Sequence, residues 1–347
     1  MKKKTFLLLS LAVLGLLSCS KSSPQPGTGG DDPLSVINGK KKMTFSGIAS
    51  SSATKAEFPN SSGTLNWSAY DHLSVYSVNA TSGTFIHSGV AMIHKFAGVN
   101  ATFESSSDRA TWAGGASQVR FYAYYPNISS IVPPYLAGTV DMNVPTTQTG
   151  EFGKYHICTA APVELSSSSV IAGEDINFNF TPSTALLRVR VCLDPSSELE
   201  QMSIKQLIIS IDDSKTLAGD CRLNLNDGAL VGLSSVSTIS ITLQEPIGIT
   251  KNITDSPYIT AVILPSTTAK ATISLMAVMA DGSTYTLESK SSPVAFEKGK
   301  RYNLDRTVLY AVTPDTTPDG MYIIGGDAWS SVEVDNDGAY TDGGQGW

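Results

Sequence analysis

Apolar and polar residues alternate with a period of two along most of this chain. Val119, Phe121, Ala123 and Tyr125 alternate with Arg120, Tyr122 and Tyr124; Ile176, Phe178 and Phe180 alternate with Asn177 and Asn179. Leu187, Val189, Val191 and Leu193 are interleaved with Arg188, Arg190 and Cys192. The runs Leu207, Ile209, Ile211 and Ile239, Ile241, Leu243 repeat the pattern. Successive side chains of a strand point to opposite faces, so each run predicts a strand with one buried and one wet face, as in antiparallel sheets. Beyond the first eighteen residues no stretch keeps the 3.6-residue period of an amphipathic helix. Asp227-Gly228 and Asp281-Gly282 fall between such runs and predict hairpin turns, because glycine reaches positive φ at little cost. The expected fold is all-β, built of β-sandwiches. A break at Thr181-Pro182-Ser183 divides the expected strands into a first domain over residues 34–180 and a second over residues 183–311.

The N-terminus sets the expected compartment. Lys2, Lys3 and Lys4 precede an apolar run of about twelve residues, short of the roughly twenty that a membrane-spanning helix needs. Residues 1–18 therefore read as a signal peptide. Its end, Leu16-Leu17-Ser18-Cys19, resembles a bacterial lipobox, whose cysteine thiol takes a diacylglycerol; Cys19 is then the lipidation site, anchored through acyl (palmitate) chains. Residues 19–33 (CSKSSPQPGTGGDDP) form a Ser/Gly/Pro-rich tether.

Charge adds one distinction. The chain holds 24 basic and 31 acidic residues, net −7, with only 16% charged residues against 41% hydrophobic ones. Residues 312–347 contain no Lys or Arg and seven acidic residues: Asp315, Asp319, Asp327, Glu333, Asp335, Asp337 and Asp342. Removal of Lys2–Lys4 leaves 21 basic residues, so residues 19–311 carry 21 basic and 24 acidic groups, a net of only −3. The acidity is a property of this tail. A nearly neutral body without a basic face excludes nucleic acid as a partner.

Candidate chemistry is sparse. There is no P-loop, GxGxxG, HExxH or GxSxG motif. His87 and His94 are seven residues apart, an odd offset that puts them on opposite faces of a strand, so no metal site is expected. His156 and Cys158 share a strand face, a minimal nucleophile pair with no third group to orient it. Cys158, Cys192 and Cys221 allow at most one disulfide and also suit small buried apolar positions. Residues 333–338 (EVDNDG) match the start of a calcium loop, but Gly344 stands where its bidentate Glu belongs; a turn at Asp337-Gly338 is the simpler reading. Asp315-Thr316-Thr317 resembles a short bacterial O-glycosylation sequon. Trp67, Trp112 and the tyrosines suit either a sandwich core or a sugar-stacking platform.

Several segments, in order, resemble the fimbrillin family of Bacteroides-type bacteria, which are lipoprotein pilins and related surface adhesins. They are the lipobox and tether, a first strand at residues 43–49 (MTFSGIA), residues 54–58 (TKAEF) and residues 67–78 (WSAYDHLSVYSV). Residues 121–126 (FYAYYP), 153–160 (GKYHICTA), 178–191 (FNFTPSTALLRVRV) and 297–310 (EKGKRYNLDRTVLY) follow. The resemblance implies two transthyretin-like β-sandwich domains, no enzyme activity and no cofactor. It implies a surface-exposed, lipid-anchored protein of the outer membrane and fimbrium. Its partners would be other fimbrial subunits, of the same or a related kind, and a host or bacterial surface ligand. Polymerising members are trimmed near the first strand by a trypsin-like protease, often after an Arg, and the exposed groove accepts a strand from the next subunit.

This sequence departs from that pattern in two places. No Arg precedes Arg109, so trimming falls to a lysine, with Lys42 and Lys55 as candidate sites, or does not occur. The tail carries Met321, Tyr322, Ile323 and Ile324, apolar on both faces. This run is a candidate donor strand, a strand covering its own second domain, or the opening of a further domain. The alternative function is a glycan-binding surface lipoprotein.

Overall fold

The alternation along the chain is an alternation of burial. In residues 176–182 Ile176, Phe178 and Phe180 are buried while Asn177 and Asn179 face solvent. Leu207, Ile209 and Ile211 are buried in the same way, as are Ile239, Ile241 and Leu243. The computed structural model describes residues 36–37, 40–49, 67, 71–95, 100–127, 138–211, 216–234, 236–266, 273–287, 295–311 and 341–342. Cys19, Lys55, Met321–Ile324, the tail's calcium-like run and Asp315-Thr316-Thr317 lie outside these residues.

The described strands in chain order begin with β1 (Val36–Ile37), β2 (Lys40–Ala49), β3 (His72–Asn79), β4 (Phe85–Lys95), β5 (Asn100–Asp108) and β6 (Gln118–Tyr125). Next come β7 (Thr139–Val144), β8 (Thr147–Thr149), β9 (Cys158–Ala160), β10 (Val163–Ser166) and β11 (Ile176–Pro182). The second half contributes β12 (Ala185–Leu193), β13 (Gln201–Ile211), β14 (Gly219–Asn224), β15 (Leu230–Gly232), β16 (Thr238–Thr250), β17 (Ile259–Ile263), β18 (Ile273–Met279), β19 (Thr284–Leu287) and β20 (Lys300–Ala311). β21 (Thr341–Asp342) lies in the acidic tail.

The all-β expectation holds, and the pairing adds closure to it. The first sheet runs β2-β11-β9-β6-β3-β4-β5, and β5 pairs back onto β2, so these seven strands close into a ring. A closed ring removes the free edges that make open sheets prone to unwanted pairing. The second sheet runs β17-β12-β20-β19-β18-β13-β16-β8. Within it β20 lies parallel to β12 and β21 lies parallel to the start of β20, with Arg301 beside Asp342. A small third sheet, β15-β14-β7, joins a strand of the first half to two of the second.

Both expected hairpins form: Gly228 and Gly282 take φ of 70° and 88°, and β14 pairs with β15 and β18 with β19. Two short helices were not expected, α1 (Arg109–Ala113) and α2 (Ser167–Ala172). Each has a side-chain cap, with Asp108 Oδ1 accepting from the Thr111 N–H at 2.9 Å and Ser166 Oγ from the Ser169 N–H at 3.1 Å. At five and six residues they are too short to register as a hydrophobic period.

One buried apolar cluster runs through both halves. β6 shows why. Phe121, Ala123 and Tyr125 point into the ring, but Tyr122 and Tyr124 on its other face are buried too. The Tyr122 hydroxyl donates to Asn226 Oδ1 of the β14–β15 turn at 3.3 Å, and its ring stacks on Tyr76 with centroids 4.8 Å apart. At Tyr122 the outer face of the first sheet is therefore covered by the second half.

Candidate functional site

The site that the fold singles out is the seat of β2. This strand closes the first ring, running parallel to β11 from Phe45 to Ala49 and antiparallel to β5 from Lys42 to Ile48. Alternation places Met43, Phe45 and Gly47 inward. Phe45 lies 5.4 Å from Trp112 edge-on, 5.7 Å from Phe178 stacked and 6.3 Å from Phe121, a grouping of rings that stabilises beyond the area it buries.

Next along the strand a glycine makes room for an indole. A Cβ on Gly47 would stand 2.7 Å from Phe103 and 3.4 Å from Trp67. The Trp67 Nε1–H donates to the Gly47 carbonyl at 3.2 Å. Trp67 in turn packs edge-on against Phe103, Phe180 and Tyr125 at 5.0, 5.2 and 5.9 Å. An isolated glycine in a strand marks a close approach of another group, and here that group is an indole.

Charged groups fasten the other face of β2. Lys42 Nζ pairs with Glu104 Oε1 of β5. Arg109 is buried, and its guanidinium donates to Thr44 Oγ1 of β2 at 3.1 Å and to the Val170 and Glu174 carbonyls at 3.3 Å each. Burial lowers the Arg109 pKa from its ordinary value and Asp175 opposes the shift, so the group stays a cation. One arginine thereby ties β2 to α2 and the turn after it. The sequence singled out Lys42 but not Arg109, Glu104 or Gly47; of these, only the glycine inside a strand pattern carried a readable signal.

The other sequence candidates have plainer roles. Trp67 and Trp112 are 1% and 0% exposed, so they belong to the core and present no face to a sugar. Tyr76, Tyr122, Tyr124, Tyr125 and Tyr302 are buried as well. His156 and Cys158 are fully buried; desolvation pushes the imidazole down to about 3 and the thiol well above its usual range. Both are neutral at pH 7, so no thiolate–imidazolium pair forms. His87 bonds Ser107 Oγ at 2.8 Å and stands edge-on to Trp112. Cys158, Cys192 and Cys221 are free thiols, all buried. Among the described residues no His/Cys/Asp/Glu group has the arrangement of a metal site, and no helix is long and apolar enough to cross a membrane.

A family model described as fimbrillin-like matches residues 54–318. No curated protein matches. Among solved structures the chain is similar to a candidate cell adhesion protein from Bacteroides uniformis, at 17% identity over 77% of this chain and 93% of that one, TM-score 0.48. It is also similar to a fimbrial assembly protein from Parabacteroides distasonis, at 12% identity over 77% and 91%, TM-score 0.37. A third, a fimbrial protein from Bacteroides vulgatus, shares 13% identity over 77% and 95%, TM-score 0.39. With its family model covering most of the chain, from before β3 to beyond β20, this protein belongs to the fimbrillin-like family.

Proposed function

We propose that this chain is a structural subunit or adhesin of bacterial surface fimbriae, held to its neighbours by β-strand addition. The observation that carries the reading is the position of β2 as the closing strand of the first ring. If β2 leaves, β11 and β5 lose a shared partner, and the Met43 and Phe45 positions open as an apolar groove. A strand from another subunit fills both needs at once. It restores main-chain hydrogen bonds at roughly 1 kcal/mol each and buries large side chains at about 1.5–3 kcal/mol apiece.

Of the two candidate processing positions we favour Lys55, because Lys42 sits within the β2–β5 ladder and is paired with Glu104, which withholds it from a protease. Cleavage after Lys55 leaves β2 held by non-covalent contacts alone, and Met321–Ile324 is the candidate donor. Cys19 with its acyl chains would hold the subunit on the outer membrane before or instead of assembly. The halves 34–180 and 183–311 serve as the two β domains of the subunit. No enzyme role, metal or cofactor enters this reading.

The test is electron microscopy and a non-boiled gel on protein from native cells, together with intact mass and N-terminal sequencing. Filaments or a ladder are expected, with acyl mass on Cys19 or a new terminus after Lys55. The absence of filament, ladder and partner subunit would remove polymerisation, and an unmodified terminus from an ordinary signal cleavage would remove the anchor.

A further inference from the structure

The second sheet is closed by a side chain. Its order begins with β17 and ends with β8, and β8 comes from the first half of the sequence, pairing parallel to β16 from Thr147 beside Ser240 to Thr149 beside Thr242. Gln148 between them is fully buried. Its Nε2 donates to the Val262 carbonyl at 2.7 Å and its Oε1 accepts from the Val262 N–H at 2.9 Å. These are the two bonds that an antiparallel partner residue of a neighbouring strand would exchange with Val262, so the amide stands in for such a residue on the outer edge of β17. A third bond, from Nε2 to the Pro145 carbonyl at 3.1 Å, fixes the amide's direction.

The residues just before Gln148 are laid against the second half as well. β7 pairs along all of β14, from Val144 beside Gly219 to Thr139 beside Asn224. The Leu225 N–H donates to the Gly138 carbonyl at 2.7 Å. On the outer face of this sheet Arg222 makes a two-pronged pair with Asp141 at 2.6 and 3.1 Å, and Asn143 donates to Asp220 at 2.9 Å. One run of eleven residues, 139–149, therefore contributes to two sheets that otherwise consist of strands from beyond residue 183.

We propose that residues 139–149 form a clasp, latched by Gln148, that makes the two halves a single mechanical body. Pairing along the whole length of β7 places many hydrogen bonds side by side, so a pull that slides the halves past each other loads them together rather than one after another. The latch sits where release would be costly: a buried amide and a strand-edge N–H and C=O each lose a partner if it opens. The value of such a clasp to a chain under tension rests on the fimbrial reading above; the clasp itself does not.

The experiment uses the purified full chain. Gln148→Leu keeps the volume and removes both bonds to Val262. Its expected effect is amide exchange at Val262 faster by about tenfold or more, with exchange in β3 and β4 unchanged. In single-molecule pulling from residues 36 and 311, the wild type is expected to unfold its halves in one event and Gln148→Leu in two, the first at lower force. A cysteine pair at the register partners Thr149 and Thr242 should, when oxidised, keep the single event. The proposal is overturned if the wild type already unfolds in two separate events, or if folded Gln148→Leu leaves Val262 exchange and the pulling pattern unchanged. None of these readouts depends on filament formation, so a failure here is distinct from a failure of the fimbrial reading.

Discussion

Gly47 has no side chain, yet the position decides whether β2 can lie under Trp67. Gly47→Ala puts a methyl group 2.7 Å from the edge of Phe103, a ring in edge-on contact with Trp67. The expected cost is about 1–3 kcal/mol, as for other overpacked cores, read as a lower urea midpoint at unchanged slope. His156 gives a pH signature. The folded chain keeps it neutral down to about 3, while the unfolded imidazole protonates near 6.5. Between those values the unfolded state binds the extra proton, so stability is complete above about 6.5 and falls as pH drops toward 3. The slope should reach at most about 1.4 kcal/mol per pH unit. Urea midpoints at pH 7 and pH 5 should differ in the wild type and differ less in His156→Gln.

At the scale of elements, β2 is held by packing on one face and by Lys42 and Arg109 on the other. Trp112→Ala should cost about 3–5 kcal/mol by opening a cavity beside Phe45, seen as loss of cooperative unfolding strength rather than of a binding function. Arg109→Ala leaves Thr44 Oγ1 and two carbonyls short of a donor, at about 1–3 kcal/mol. Limited digestion with a lysine-specific protease should then release the N-terminal segment faster than from the wild type. The strands themselves were legible, because burial on one face imposes a two-residue period that survives in runs such as Ile176–Phe180. What the period could not show was the second burial of Tyr122 and Tyr124. A residue facing out of one sheet looks wet in sequence even when another part of the chain covers it. α1 and α2 escaped for the opposite reason, having too few residues to express any period.

On the scale of the whole molecule, the sequence break at residues 181–183 marks the turn between β11, which ends at Pro182, and β12, which begins at Ala185. It gave no hint that residues 139–149 belong by pairing to the later half. Local turn chemistry marks where strands end; long-range partners leave no mark in a short window. Gln148 in particular reads as an ordinary polar residue of a Thr-rich stretch, and only the geometry reveals it as a strand substitute. The fimbrillin resemblance was visible through the order of segments, and the seat of β2 through closure of the ring. If Lys55 is the processing point, the Lys55→Gln variant should accumulate as an untrimmed, unassembled subunit. A gel of cell-surface protein, run without boiling, would show the ladder shortened or gone.

Trp67 and Trp112 bracket β2, one bonded to its backbone and the other against its phenylalanine. This makes the closing strand optically visible. A chain that has lost β2 exposes both indoles to water and should emit at longer wavelength, and refilling of the seat by any strand should restore the blue emission. Loss of β2 from its seat can thus be followed in real time by the protein's own fluorescence, without a label, and its rate compared between Gly47, Lys42 and Arg109 variants.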